Sequence, residues 1–475
     1  MNNKSYITCA IPYVNSSPHV GHALEFVQGD TIARYNKLLH KEVLLLSGGD
    51  ENALKNVQAA EDAGVPVQDF VDKNTEIFFD LTKKLNCEFD VWQKGSDKVH
   101  HYPSSQKLWE LCKKNGDIYK KKYEGLYCIG CETFYSPEEL NENGECFEHP
   151  GKKLQKVSEE NYFFALSKYQ KKLIELIQSD ELKIIPETRK NEVLSFLREP
   201  LQDISISRTN ERAKNWGVPV PGDPSQRIFV WFDALNIYQS GIGFGWDEKR
   251  YKKYWPADVH VIGKGITRFH AVYWPAFLLS AGLKLPKTIF AHGYLTVNGQ
   301  KISKSIGNVV DPNDFIEKYR ADALRYYLLA KVSPFGDGDF SEEKLKDSYN
   351  ADLANGLGNL VARVARLLEL RNVPLDKEYP KEFTPDVAGY IESYRFDKAL
   401  TYIWKWISNL DRYINEKEPW KKERLHEFVI WDTIVVGIRQ IAFDLKPFLP
   451  ETAEKIEKQF KGPKIKSGAP LFPRL

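Results

Sequence analysis

Two short runs constrain this chain most: YITCAIPYV, residues 6–14, and EVLLLSGGD, residues 42–50. Both carry apolar residues without the alternation of a half-exposed strand, the pattern of strands buried on both faces of a parallel sheet. Between them, residues 18–40 place Val20, Leu24, Val27 and Ile32 at helical intervals behind turn-forming residues. Strand, helix and strand make a βαβ unit. Three later runs, RIFVWFDALNIY (227–238), DVHVIGKGI (258–266) and KTIFAHGYL (287–295), are separated by helix-like stretches. Five strands in two blocks predict an α/β fold: one doubly wound parallel sheet over 1–114 and 226–295, interrupted by an insertion over 115–225.

A chain of 475 residues exceeds a single core, so further domains are expected. Beyond residue 340 the strand signals stop. Residues 341–372, 390–415 and 423–447 read as amphipathic helices, and Leu353, Leu357, Leu360, Val361, Val364, Leu367 and Leu368 form one apolar stripe. An α-helical bundle over 349–475 follows from this. The tail GAPLFPRL reads either as an ordered return strap or as a loose end. A net charge of +2 neither demands nor excludes a nucleic-acid partner. No apolar run reaches membrane-spanning length and no secretion signal is evident, so a soluble, cytoplasmic chain is expected.

The stretch NSSPHVGH opens the first helix. Asn15, Ser16 or Ser17 can cap it, and Pro18 suits its first turn. A helix start beyond the carboxyl end of a parallel strand is where phosphate binds, because free N–H groups and partial positive charge meet there. His19 and His22, three apart, share one helix face and can donate to phosphate oxygens. Gly21 leaves room for a flat base. Spacing alone also fits two half-buried helix histidines; a metal site lacks a third ligand nearby, and no P-loop is present. A second signal is NGQKISKSIGNVV, residues 298–310, where Lys301 and Lys304 flank small hydroxyl residues in a glycine-bounded loop. Such a loop can close compact positive charge over phosphates, although a solvated surface turn has the same composition.

Cysteines add a third signal. Cys9, Cys87 and Cys112 are scattered, but Cys128-x2-Cys131-x14-Cys146-x2-His149 has structural-zinc spacing. Three thiolates and an imidazole close a tetrahedron, so a structural Zn²⁺ in the insertion is expected.

Together the histidine pair after the first strand, the lysine loop after the last and the helical bundle behind them resemble a class I aminoacyl-tRNA synthetase. AIPYVNSSPHVGH, VWFDAL, VIGKGI, FHAVYWPAFL, HGYLTVNGQKISKSIGNVVDP, DALRYYLL, DRYINEKEPW and DISISR (203–208) resemble the methionyl-tRNA synthetase family along nearly the whole chain. The resemblance implies a Rossmann-like catalytic domain with a zinc-knuckle insertion, a loop and stem-contact region over 296–348, and an anticodon-binding bundle. It implies that methionine is activated by ATP with Mg²⁺ and then passed to tRNA(Met). His19, His22, Lys301 and Lys304 would be catalytic, with Gly21, Gly263, Lys264, His292 and Gly293 also at the nucleotide. Ile11, Tyr13, Trp231, Ala234, Leu235, Tyr238, Ile266, Phe269 and His270 would wall the methionine pocket, and Asp50 would take its ammonium. Aromatic edges suit a polarizable sulfur. Asn359 and Arg363 would read the CAU anticodon, with Trp420 stacking on a base.

The chain departs from the family pattern at three places. DENAL puts Asn52 and Ala53 where relatives commonly carry DEHG, Gly265 stands where Asp is frequent, and Leu235 replaces a proline of some members. Other class I enzymes fit less well: those for aliphatic amino acids need a larger editing insertion, and the cysteine enzyme needs metal ligands in its pocket. A non-catalytic tRNA-binding paralogue is the reading from another class, opposed by the intact histidines and lysines. The chain ends soon after the bundle, which favours a monomer.

Overall fold

A computed structural model describes residues 3–128, 133–135, 139–148, 151–297, 299–302, 307–371, 379–421 and 428–475. They divide into two units: Met1–Pro18, Lys41–Thr82 and Glu88–His292 form the first, and His19–His40, Lys83–Cys87 and Gly293–Leu475 the second.

In chain order, β1 (Lys4–Cys9) leads to α1 (Val20–Leu38), then β2 (Glu42–Gly49), β3 (Val91–Lys94) and α2 (His101–Lys114). Next come β4 (Ile118–Cys128), β5 (Gln155–Phe164), β6 (Lys183–Ile185), α3 (Val230–Ser240), β7 (Val259–Gly263) and β8 (Thr288–His292). The sheet of the first unit runs β3-β2-β1-β7-β8-β6, every neighbouring pair parallel. Tyr6, Ile7, Leu45 and Leu46 are fully buried, so successive residues of one strand are covered on opposite faces. That is the physical content of the missing alternation in the sequence.

Two sequence expectations are corrected. The run 227–238 is not a strand of this sheet. Asp223–Ile228 pairs antiparallel with Ser207–Thr209, and Val230 onward is α3. Every residue of α3 is buried, its polar ones included, and a helix with no exposed face cannot be told from a buried strand by periodicity. Conversely, Lys183–Ile185, inside the stretch read as an insertion, is the edge strand β6 of the parallel sheet. The remainder of 115–225 includes the long antiparallel pair β4–β5.

The second unit is mostly helical, with α4 (Ala321–Ala330), α5 (Asn359–Arg371), α6 (Phe396–Lys417), α7 (Phe428–Leu445) and α8 (Pro450–Gln459). The expected stripe on α5 and the turns before it is buried, with Leu367 half-buried. Arg325 of α4 is fully buried and pairs with Asp30 of α1 at 2.7 Å. Its other N–H groups donate to the carbonyls of Phe448 and Pro447 at 2.7 and 3.0 Å and of Leu85 at 3.2 Å. A buried guanidinium persists only when so fully paired. The tail is an ordered strap: Leu471 and Phe472 are buried, and Phe472 meets the Tyr349 ring edge-on at 5.8 Å. Among the described residues no helix is long and apolar enough to cross a membrane.

Candidate active site

The first turn of α1 is built by its own imidazoles. His19, in extended conformation, is the N-cap, and its Nδ1 accepts the N–H of Gly21 at 3.1 Å. The Nδ1 of His22 accepts the N–H of His19 at 3.1 Å, completing a reciprocal capping box. The helix thus starts later than Asn15–Ser17 capping would place it, because imidazole Nδ1 stands as many bonds from Cα as an Asn oxygen does. Burial pushes the His19 pKa down to about 4 and that of His22 well below its ordinary value, the latter also through its neighbour. In these neutral rings Nδ1 is an acceptor, so the proton sits on Nε2, leaving each ring one Nε2–H donor. The rings stack with centres 3.9 Å apart. A Cβ on Gly21 would lie 2.8 Å from His19 Cε1, so the space beside this glycine is taken by the capping ring itself.

Lys301 lies on the short strand Gln300–Lys301, which pairs with Leu295–Val297. Lys304 lies outside the described residues. Gly263 and His292, the last residues of β7 and β8, are register partners, and Lys264 follows the first of them. Gly293 has no room for a side chain: a Cβ would stand 2.0 Å from the Gly336 carbonyl oxygen.

The aromatic residues among those expected in the pocket form two groups in the first unit, Tyr13 with Trp231 and Phe269, and Tyr238 with His270. Trp231 and Phe269 stack with centres 3.6 Å apart and planes within 4°. Tyr13 stands edge-on to Trp231 at 6.3 Å and bridges to Asp50 as a parallel backbone pair. Asp50 is buried, its N–H bound to the Pro12 carbonyl at 2.9 Å and its own carbonyl to the Asn56 amide at 2.7 Å. Ala234 and Leu235 are buried on α3, whereas Ile11 and Ile266 are half-buried.

His270 reaches the Ile266 carbonyl through Nδ1 at 2.9 Å, and burial pushes its pKa down to about 4. The neutral ring therefore donates from Nδ1 and accepts the Tyr238 hydroxyl proton at Nε2, 2.8 Å away. Sequence reasoning missed the support beneath this pair. Tyr6 donates its hydroxyl to the Tyr238 carbonyl at 2.5 Å, and His260, bonded to Thr8 at 2.5 Å, lies against the Tyr238 ring. Tyr6 and Thr8 alternate on β1, and Thr8 pairs in register with His260, so strand parity was the available signal. Aromatic rings joined through Tyr13 to a buried carboxylate residue, together with a neutral hydrogen-bonded pair, suit an apolar side chain carried by a cationic amine.

Cys128 and Cys146 are buried with sulfurs 3.3 Å apart, too far for a disulfide bond and close enough for two ligands of one ion. Cys131 and His149 lie outside the described residues. Among the described residues no group of three or more His, Cys, Asp or Glu side chains is arranged to hold a metal, and the expected zinc knuckle is not shown by them.

On α5, Asn359 is exposed and Arg363 half-buried. Arg363 lies over the Trp420 ring at 5.2 Å and bonds Asp411 at 3.0 Å and Asn415 at 2.6 Å. Asn355, one turn before Asn359, accepts from Arg474 of the tail at 3.0 Å.

A family model described as tRNA synthetases class I (M) matches residues 5–365. The methionine–tRNA ligase of Thermotoga maritima is 41% identical over 95% of this chain and 74% of its own length. That of Brucella suis is 39% identical over 95% of this chain and 91% of its own. A Mycobacterium tuberculosis methionyl-tRNA synthetase in complex with methionyl-adenylate superposes with a TM-score of 0.90 at 37% identity, covering 99% of this chain and all of its own. The chain therefore belongs to the methionine–tRNA ligase family of the class I tRNA synthetases.

Proposed function

We propose that this chain activates methionine with ATP and transfers the methionyl group to the 3′ adenosine of tRNA(Met). The observation that carries this is the slot of Trp231, Phe269 and the Tyr238–His270 pair on the unit that also holds the buried Asp50. In the first step a carboxylate oxygen of methionine attacks the α-phosphorus in line, and pyrophosphate leaves. In the second, a terminal ribose hydroxyl attacks the methionyl carbonyl, and AMP leaves. Neither step needs a protein nucleophile; both need placement and relief of charge on phosphate oxygens.

Asp50 takes the ammonium, and the aromatic slot with Ile11, Tyr13, Ala234, Leu235 and Ile266 takes the thioether. The neutral rings of His19 and His22 donate from Nε2 to phosphate oxygens. Lys301 and Lys304 add positive charge, and Mg²⁺ accompanies the ATP phosphates. Gly263, Lys264, His292 and Gly293 line the nucleotide. Asn359, Arg363 and Trp420 read the CAU anticodon, a role their exposed polar edge and stacking plane suit. Cys128, Cys131, Cys146 and His149 would hold one Zn²⁺, which would supply a fold-stabilising crosslink; the buried 3.3 Å sulfur pair of Cys128 and Cys146 fits it. The chain acts as a cytoplasmic monomer.

Amino-acid-dependent ATP–pyrophosphate exchange across the twenty amino acids tests the reading. Rapid exchange with methionine alone is expected. Preference for another amino acid, or no exchange with any, would overturn it.

A further inference from the structure

The tripeptide Asp50–Asn52 leaves the end of β2 with each side chain or backbone group tied down differently. Glu51 is locked by the Thr75 hydroxyl at 2.5 Å and by the N–H and hydroxyl of Ser96 at 2.9 and 2.6 Å. Asn52 reaches the other way. Its amide donates to the Gly95 carbonyl and to Oδ2 of Asp233, both at 2.7 Å. Asp233 lies in the first turn of α3 and is buried. Its Oδ1 meets the Ser105 hydroxyl and His101 Nε2, each at 2.8 Å, and His101 Nδ1 reaches Ser240 at 2.8 Å. A buried carboxylate is stable only when its oxygens are this fully occupied.

The same α3 carries Trp231, Ala234, Leu235 and Tyr238, all within two turns of Asp233. The Asn52–Asp233 bond therefore joins the loop bearing Asp50 to the helix bearing the aromatic wall. We propose that Asn52 is a positioning residue for methionine: through Asp233 it fixes the separation between the carboxylate that takes the ammonium and the wall that takes the side chain. This rests on reading the pocket as a methionine site.

The test is pyrophosphate exchange for the intact chain and for N52D, D233N and the N52D/D233N swap, with methionine and ATP varied separately. N52D sets two carboxylates against each other, whereas the swap restores a donor–acceptor pair with its direction reversed. N52D should raise the methionine KM about tenfold and leave the ATP KM within about twofold, as loss of one charge-assisted bond across the pocket implies. The swap should recover most of the loss. N52A, which only deletes the donor, should give the same split if N52D does not fold. An unchanged methionine KM in N52D or N52A, equal rises for both substrates, or a swap no better than N52D would overturn the proposal. Absence of methionine-dependent exchange in the unmodified chain would overturn the parent reading instead.

Discussion

The imidazoles of His19 and His22 lie nearly face to face, 3.9 Å between centres, and each accepts a backbone N–H of the first turn through Nδ1. One side of each ring is thereby spent on structure, which orients the other as a donor. Capping and the proposed phosphate binding can then be separated by substitution. His19→Asn retains an oxygen where Nδ1 stood and loses the Nε2–H. Its helix stability should fall by no more than about 0.5 kcal/mol, against about 1 kcal/mol for His19→Ala. Methionine-dependent exchange should slow by roughly a hundredfold in both, the usual cost of one transition-state donor. The pH dependence gives a second check. With a folded pKa near 4 against an ordinary 6.5, the proton prefers the unfolded chain. Stability contributed here is full above about pH 6.5 and falls as pH drops toward 4. His19→Asn should flatten the decline of Tm over that window; an unchanged slope would show that the ring is not held neutral.

The Tyr238 hydroxyl and His270 Nε2 form a neutral pair, which in the proposed methionine pocket would present no charge to a thioether. Tyr238→Phe strands a buried ring nitrogen, a loss of about 1–3 kcal/mol. The expected outcome is a methionine KM raised by about tenfold with the ATP KM unchanged, measured by exchange. Restoration is expected from no apolar substitution at 270, because such a change also removes the bond to the Ile266 carbonyl.

What could be read from the residues alone follows physical range. β1, β2, β7 and β8 were visible because burial on both faces erases alternation locally. α3 was misread because the same burial also erases helical periodicity, and β6, three residues long, is too short to carry a pattern. The histidine pair was legible as two rings on one helix face, but its capping role was not, since sequence habit assigns caps to Asn and Ser. Thr8–His260 and Asn52–Asp233 were beyond reach: their partners stand 252 and 181 residues apart, and only sheet register and helix docking bring them together.

The buried sulfurs of Cys128 and Cys146 lie 3.3 Å apart. If they share a structural ion, the purified chain holds one equivalent of zinc by elemental analysis. Cys146→Ser should lose the metal and lower Tm, because metal binding free energy is folding free energy for such a knuckle. A metal-free chain of undiminished Tm would remove zinc from the account.

Arg363 and Trp420 lie 5.2 Å apart, and Asp411 and Asn415 also bond the guanidinium. The arrangement leaves Trp420 half-buried, one partner already in place beside its ring. A single-stranded base stacked there gains about 1–3 kcal/mol by the usual measure of base–aromatic contacts. Trp420→Ala should therefore cut tRNA charging by roughly ten- to a hundredfold through the tRNA KM, while methionine-dependent exchange without tRNA stays within about twofold. Arg363→Lys should behave similarly, since an ammonium cannot bond Asp411 and Asn415 in the same fork while lying over the ring. Both substitutions lie in the second unit, and exchange reports on a reaction that needs no anticodon. Parallel loss of charging and exchange would make the pair a structural element of the bundle; loss of charging alone makes it the reading head.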